Sequence, residues 1–401
     1  MNKQTMEDVD VRGKRVLVRV DFNVPLNPDH SVADDTRIAK TIPTIRYLVD
    51  RKVRTILMSH LGRPKGKKDM RYSLQPVAER LSQLLHHSVQ FVPDCIGPLV
   101  ERAAGSLKER EVLLLENLRF HAEEEKNDLG FSKSLAAFGD VFVNDAFGAA
   151  HRAHASTEGI THFLPSVAGF LLAKEIEYFD RALERPMHPF VAILGGAKVV
   201  DKIKVIENLM AKVDTLLIGG AMAYTFLKAQ GHSIGNSKFD LEGFEVAKTL
   251  LEKVENSKMQ FILPEDHVTA DKLDETAQVQ ISKQDIPDGR IGVDIGPKTV
   301  ERFCSIVTKA KTVVWNGPLG IFEIRVFSQG TREVANYLAS LKGATTIIGG
   351  GETAQAISEL GLSEQMSHVS TGGGASLEYL EGRILPGIQA LLGKKQAGCA
   401  K

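Results

Sequence analysis

Short apolar runs rich in valine, isoleucine and leucine recur along the chain. In the first half they cover Arg15–Phe22, Thr55–Ser59, Val89–Val92, Val112–Leu115 and Val141–Val143. In the second half they cover Phe190–Leu194, Thr215–Ile218, Gln260–Leu263, Thr312–Trp315, Thr345–Ile348 and His368–Ser370. Most are continuous rather than alternating, which is how strands covered on both faces read. Between many of them lie helical patterns such as Pro76–Leu85 and Lys202–Met210. Strand alternating with helix predicts parallel sheets built from right-handed crossovers. Ser166–Leu183 carries apolar residues at Val167, Phe170, Leu171, Ile176, Phe179 and Leu183, the spacing of an amphipathic helix, before Pro186 and Pro189 interrupt it. The fold class expected is α/β: two doubly wound, Rossmann-like lobes, each a mainly parallel sheet with helices on both faces, joined by that helix as a hinge. The expected divisions are 1–165, 166–185 for the joining helix, 186–385, and a tail 386–401 packing back on the first lobe.

Length agrees, since 401 residues exceed what one core usually serves. Apolar residues at 43% and charged residues at 25% are ordinary for a globular chain and leave room for a core in each lobe. Lys+Arg and Asp+Glu both count 50, a balance that argues against a nucleic-acid partner. The three cysteines, Cys95, Cys304 and Cys399, are widely spaced and form no C-x-x-C pair, so they predict unpaired thiols in a reducing compartment. The N-terminus lacks an apolar core of the secretory kind, and no run reaches the length of a membrane span. A soluble cytoplasmic protein with no membrane partner is expected.

In open α/β sheets, ligands bind beyond the carboxyl ends of the strands. The first-half runs are followed by Asp21, Asn23, Arg37, His60, Arg63, Arg119, His151, Arg152 and His154. Guanidinium forks gathered at one rim suit a small ligand with several negative charges. Asp21 either holds an arginine or accepts from a hydroxyl, and the sequence leaves both open. The second-half runs are followed instead by glycine clusters: Gly195-Gly196, Gly219-Gly220, Gly349-Gly350-Gly351 and Gly372-Gly373-Gly374. Glycines before a helix let phosphate oxygens reach backbone N–H groups, although any single pair reads equally well as turn or packing glycine. Lys198 and Lys202 would share one helix face if a helix begins at that point. A P-loop is absent. The dinucleotide fingerprint does occur at Gly349–Ala354, but the next strand ends in Ser370-Thr371 rather than in the acid that a nicotinamide ribose requires. A nicotinamide-dependent oxidoreductase is therefore the weaker alternative, and a non-catalytic anion-binding protein leaves the glycines and lysines unused.

These residues stand inside longer strings: RVDFNVP (Arg19–Pro25), DDTRI (Asp34–Ile38), SHLGRP (Ser59–Pro64), LENLRF (Leu115–Phe120), NDAFGAAHRAHAS (Asn144–Ser156), LGGAKVVDK (Leu194–Lys202), WNGPLGIFE (Trp315–Glu323), GGGET (Gly349–Thr353) and STGGGASLE (Ser370–Glu378). In order and across essentially the whole chain they resemble the phosphoglycerate kinase family. The resemblance implies a monomeric glycolytic enzyme that moves the acyl phosphate of 1,3-bisphosphoglycerate to ADP, giving 3-phosphoglycerate and ATP with Mg²⁺. It implies acid binding by Asp21, Phe22, Asn23, Arg37, His60, Leu61, Gly62, Arg63, Arg119 and Arg152. It implies nucleotide binding by Lys198, Lys202, Gly219, Gly220, Gly292, Asn316, Pro318, Glu323, Gly350, Gly351, Glu352 and Thr353. The transferring phosphate would face Arg37, Lys198, Lys202, Gly350 and Gly373. One departure stands out: the family usually carries Asp where this chain has Glu352, the residue that would hold Mg²⁺ through the nucleotide.

In the ATP-consuming direction the nucleophile is a carboxylate, ionised well below neutrality, so no general base is needed. What opposes reaction is an anion approaching an anion, and the remedy is fixed positive charge plus positioning. Lobe closure would keep water from the acyl phosphate.

Overall fold

A computed structural model of the chain describes residues 2–394. Among them the strands form three sheets. The chain divides into two compact units, one running to Glu177 and taking back the segment from Ile384, the other covering Tyr178–Arg383.

The first unit holds β1 (Arg15–Arg19), β2 (Arg54–Met58), β3 (Val89–Val92), β4 (Val112–Leu115), β5 (Val141–Asn144) and β6 (Ser166–Ala168). They lie side by side in the order β3-β4-β2-β1-β5-β6, all pairings parallel. The order reverses at β1, with β2 on one side and β5 on the other. Both faces of the sheet are covered, which is why these strands read as unbroken apolar runs. On one face Val16, Val18, Leu57 and Leu114 pack against Ile38, Ile45 and Leu48 of the helix Thr36–Asp50 and against Val77 and Leu81 of the helix Gln75–Leu85. The run expected as a strand to Phe22 leaves the ladder after Arg19, and Asp21–Asn23 turn aside into the site described below.

The helix expected from Ser166 begins later. Ser166–Ala168 is a strand paired with Phe142–Asn144, and the helix covers Phe170–Glu184. Gly169 makes the break, because a Cβ there would lie 2.3 Å from Asp145 Oδ1. That oxygen accepts from the backbone N–H groups of Leu171 (2.8 Å) and Leu172 (3.2 Å), filling two of the open donors at the helix start. The boundary between the two units falls within this helix. The segment from Ile384 returns to the first unit: Leu392 donates to Ser166 O at 2.9 Å, and Gln4 donates to Leu392 O at 2.8 Å. The remainder of the tail, with Cys399, lies outside the described residues.

The second unit holds β7 (Phe190–Leu194), β8 (Thr215–Ile218), β9 (Gln260–Ile262), β10 (Asp266–Ala270), β11 (Val279–Lys283), β12 (Ile291–Ile295), β13 (Thr312–Asn316), β14 (Thr345–Gly349) and β15 (His368–Val369). Its main sheet is parallel in the order β15-β14-β13-β7-β8-β9, reversing between β7 and β13. Trp315, the sole tryptophan, is fully buried in this core beside Ile193 and Ile348 and donates from its indole N–H to Gly317 O at 2.8 Å. The sequence pattern does not anticipate the small antiparallel sheet β11-β10-β12. Its strands carry polar residues at alternate or random positions, and β11 is mostly exposed, so no long apolar run marks them.

Burial pushes the Asp145 carboxyl up to about 6, against the hydrogen bonds from Leu171 and Leu172. Between about pH 4 and 6 the folded chain keeps that proton while the unfolded chain releases it, so folding stability falls with rising pH across this window and levels off above it. Asp145→Asn, which keeps the acceptor oxygen, is expected to flatten this segment of the stability–pH profile by up to about 3 kcal/mol. Denaturant unfolding of both proteins from pH 4 to 7 checks it.

Candidate active site

At the carboxyl ends of β1, β2 and β4 the first unit gathers its basic side chains. Asp21 is nearly buried and accepts from Arg37 Nη1 at 2.5 Å, which answers the question its sequence position leaves open. The Asn23 side-chain oxygen accepts from Gly62 N at 2.8 Å, tying the loop after β1 to the loop after β2. Gly62 in turn accepts from Arg119 Nη1 at 2.9 Å, and Arg119 also pairs with Glu125 at 3.2 Å. Gly62 needs its missing side chain: φ is +61°, and a Cβ would strike the Tyr72 ring at 2.4 Å. Phe22 and Leu61 point into the core, so only their backbones face the site. Arg63 is exposed, and Arg152 is half-buried with its Nε donating to His151 Nε2 at 3.1 Å.

Beneath this rim lies a network that the sequence reading passes over. Arg19 is buried to 1% exposure. Its Nε donates to Ser156 Oγ at 2.8 Å, and that hydroxyl donates to Glu124 Oε1 at 2.6 Å. Glu124 is fully buried as well, so the pair compensates one buried charge with another. Arg19 Nη2 lies 3.1 Å from His60 Nδ1. A guanidinium only donates, so Nδ1 accepts and the imidazole proton sits on Nε2. Burial first, and then the charges of Arg19, Arg119 and Arg37, hold the His60 pKa well below the usual imidazole range. Burial first, and then the charges of Arg119, Arg19 and Arg152, push His154 down to about 3. Both imidazoles are neutral at pH 7, in a pocket whose field is positive. The available signal was Arg19 itself, a charge inside the run Val16–Val20.

In the second unit a cleft of about 870 Å³ opens beside β7, β13 and β14. Lys198, Lys202, Asn316, Gly350, Gly351, Glu352, Thr353 and Gly373 all line it. The condition for a shared helix face is not met: the helix covers Ile203–Met210, close to the expected Lys202–Met210, and Lys198 is an exposed loop residue before it. The chain before Ile203 is held open by backbone contacts across the sheet: Gly195 N donates to Asn316 O at 3.0 Å and Gly196 N to Pro318 O at 3.2 Å. Lys202 Nζ donates to Asn316 Oδ1. Burial lowers its pKa to about 8, opposed by Glu352, Asp201 and Glu381. Asn316 Nδ2 is buried without a hydrogen-bond partner. Such a donor is costly to leave unmet, and here it belongs to a residue that lines the cleft.

The glycines divide into two kinds. A Cβ at Gly195 would lie 2.0 Å from Pro318 O, one at Gly219 2.5 Å from Leu319, and one at Gly220 2.6 Å from Gly196 N. These are packing glycines, and Pro318 takes part as the carbonyl on which Gly195 and Gly220 pack. A Cβ at Gly351 or Gly373 would meet nothing within 4 Å. Gly350, at φ +86°, starts the helix Gly351–Glu359 and turns its first N–H groups to the cleft. Gly292 belongs to β12, donates to Ser237 Oγ at 2.8 Å and packs on the Tyr224 ring, apart from the cleft. Glu323 lines a smaller hollow of about 340 Å³ with Phe322 and Arg332, and Glu352 borders both spaces.

A family model described as phosphoglycerate kinase matches residues 6–383. The chain belongs to the phosphoglycerate kinase family. It is 53% identical over 98% of its length to the whole phosphoglycerate kinase of Koribacter versatilis, and 55% identical over 98% to that of Chloroherpeton thalassium, of which it covers 99%. The solved phosphoglycerate kinase of Coxiella burnetii superposes with a TM-score of 0.88 at 41% identity, covering 97% of this chain and 98% of that one. The phosphoglycerate kinase family carries phosphotransferase activity with a carboxyl group as acceptor, and its place is glycolysis. The nicotinamide alternative falls with this result, and the Gly349–Ala354 pattern opens the helix Gly351–Glu359 beside the cleft. No helix among the described residues is long and apolar enough to cross a membrane.

The division of the glycines has a measurable consequence. Gly195→Ala forces a Cβ into backbone atoms that have no room to yield, and is expected to cost about 1–3 kcal/mol. Gly351→Ala, at an open helical position, is expected to leave the melting temperature unchanged or slightly raised. Differential scanning calorimetry of the two variants checks the contrast, and equal losses would show that the division is wrong.

Proposed function

We propose that the chain catalyses the reversible, Mg²⁺-dependent transfer of the acyl phosphate of 1,3-bisphosphoglycerate to ADP, forming 3-phosphoglycerate and ATP. The first unit takes the acid and the second the nucleotide. The observation that carries this reading is the second unit's cleft. There a half-buried lysine, a buried amide donor without a partner and a helix N-terminus all line one space. Phosphate oxygens satisfy all three.

In the first unit, Arg119, Arg63 and Arg152 hold the distant phosphate of the acid. His60, neutral, donates from Nε2 while Arg19 fixes its tautomer. Asp21 holds Arg37 in place at 2.5 Å, and Arg37 neutralises charge at the acceptor carboxylate. Lys198, Lys202 and the N–H groups at Gly350 and Gly372–Gly374 meet the transferring phosphoryl group. No residue acts as a general base, because the acceptor is already ionised. Asn316 and Thr353 hold the cleft's shape: Thr353 Oγ1 accepts from Gly317 N at 2.7 Å. The hollow bordered by Glu323 takes the nucleoside end, and Gly219, Gly220, Gly292 and Pro318 act through packing.

Glu352 lies exposed in the first turn of the helix Gly351–Glu359, a carboxylate beside the phosphate cradle. One carboxylate with phosphate oxygens and water is the donor set that Mg²⁺ accepts, so Glu352 suits the metal–nucleotide complex despite its extra methylene. Bound there, Mg²⁺ supplies charge neutralisation across the phosphates. Transfer requires the loaded units to close, with the helix Phe170–Glu184 as the hinge. We place the enzyme in the cytoplasm, as a monomer acting on small molecules alone.

The direct test couples ADP formation to a spectrophotometric readout. ADP is expected only when ATP, Mg²⁺ and 3-phosphoglycerate are all present, and its appearance without the acid would contradict the proposal. Arg37→Ala is expected to lower kcat by about 10²–10³-fold with ADP affinity nearly intact. Near-normal turnover would remove Arg37 from its role. Lys202 binds phosphate as the cation, so ADP affinity should weaken as pH rises through about 8. Lys202→Arg should hold affinity constant across that range, and calorimetric titration with ADP at several pH values reads both.

A further inference from the structure

Apart from the rim of arginines, the first unit brings together three side chains of three different ligand types. Asp94 and Cys95 follow β3, and His121 follows the turn Leu118–Phe120 beyond the neighbouring β4. A carboxylate oxygen of Asp94, the sulfur of Cys95 and a ring nitrogen of His121 all lie within 4.8 Å of one another. Ligand atoms around a tetrahedral zinc ion with bonds of about 2.0–2.3 Å stand about 3.3–3.8 Å apart, so a contraction of roughly 1 Å closes the set. The residues are already held close to this arrangement. His121 Nε2 and Asp94 Oδ1 are 2.8 Å apart, and Cys95 N donates to the same oxygen at 2.8 Å. Backbone bonds pin both sides, from Glu116 N to Asp94 O at 3.2 Å and from His121 N to Leu118 O at 3.2 Å.

Exposure grades across the cluster in a useful way. The Asp94 and His121 side chains are 39% and 27% exposed, while Cys95 is 1% exposed. An ion reaches the first two from solvent and finds the sulfur behind them. Burial, followed by the carboxylates of Asp94, Glu124 and Glu116, keeps the thiol protonated. Those same carboxylates favour a cation in the proton's place.

We propose that Asp94, Cys95 and His121 form a binding site for a divalent cation of the zinc class, with water as the fourth ligand. Sulfur and imidazole favour such an ion over Mg²⁺ or Ca²⁺. On binding, the Cys95 proton leaves to solvent, the Asp94–His121 hydrogen bond is exchanged for two bonds to the metal, and no oxidation state changes. The site is separate from the nucleotide cleft and does not depend on the function proposed above.

The test uses the full-length chain and Zn²⁺ alone, in competition with a chromophoric chelator. One ion per chain is expected. Affinity should drop roughly tenfold or more in Cys95→Ser and in His121→Gln, and should be retained in Cys304→Ser. Co²⁺ in place of Zn²⁺ should give a thiolate-to-cobalt charge-transfer band in the wild type that Cys95→Ser lacks. Absence of binding to the wild type overturns the proposal, as does wild-type affinity in either folded variant. If Cys95→Ser does not fold, His121→Gln, at a partly exposed position, decides alone.

Discussion

Everything in the first unit's site depends on keeping a fully buried guanidinium charged. Arg19 sits in the central strand, where desolvation opposes the cation. The structure answers with a relay through Ser156 to a buried carboxylate, Glu124. Breaking such a relay at one end leaves an uncompensated buried charge, which is far more costly than never having had the pair. With the relay intact, Arg19 does two things at once. It selects the tautomer of His60, and with Arg119 and Arg37 it adds to the burial that holds that imidazole neutral. A neutral imidazole in a positive pocket donates a hydrogen bond without adding repulsion among the arginines.

In the function proposed above, the second unit cradles negative charge by a different route. It relies on backbone N–H groups, and these become available only where backbones approach closely enough to leave no room for a side chain. The packing glycines Gly195, Gly219 and Gly220 bring the loops after β7 and β8 against the loop after β13. That packing places Asn316, and Asn316 receives Lys202. The cleft glycines Gly351 and Gly373 then face open space, while Gly350 packs close to the Asn316 side chain. Both kinds serve the site, one by shaping it and the other by lining it.

The two sites stand at equivalent places in their sheets, next to the strand where the order reverses. At such a point neighbouring crossovers run to opposite faces and leave a crevice between them. The chemistry differs because the loops differ: cations on side chains in one, donors on the main chain in the other. A phosphoryl transfer to a carboxylate has no use for a general base, because the acceptor is already ionised.

The sequence alone determined the architecture of two parallel sheets, since strands buried on both faces must be apolar at nearly every position and helices between them must show their period. It also determined which residue types stand at the strand ends, and the long motif strings that mark the family. Tertiary structure decided what periodicity cannot encode. In the small sheet β11-β10-β12, β11 is mostly exposed and the buried β10 mixes polar with apolar residues, so no long apolar run marks it. Ser166–Ala168 became a strand because β5 offered an edge to pair with, although the residues also fit the helix that follows. Lys198 and Lys202 parted company because backbone contacts at Gly195 and Gly196 hold the chain out of a helix until Ile203. Arg19 is a charge inside an apolar run, and its partners Ser156 and Glu124, more than a hundred residues away, meet it only in the folded chain. Local pattern reflects which face a residue must hide. Partners for a buried charge come from distant segments, and only the packed chain brings them together.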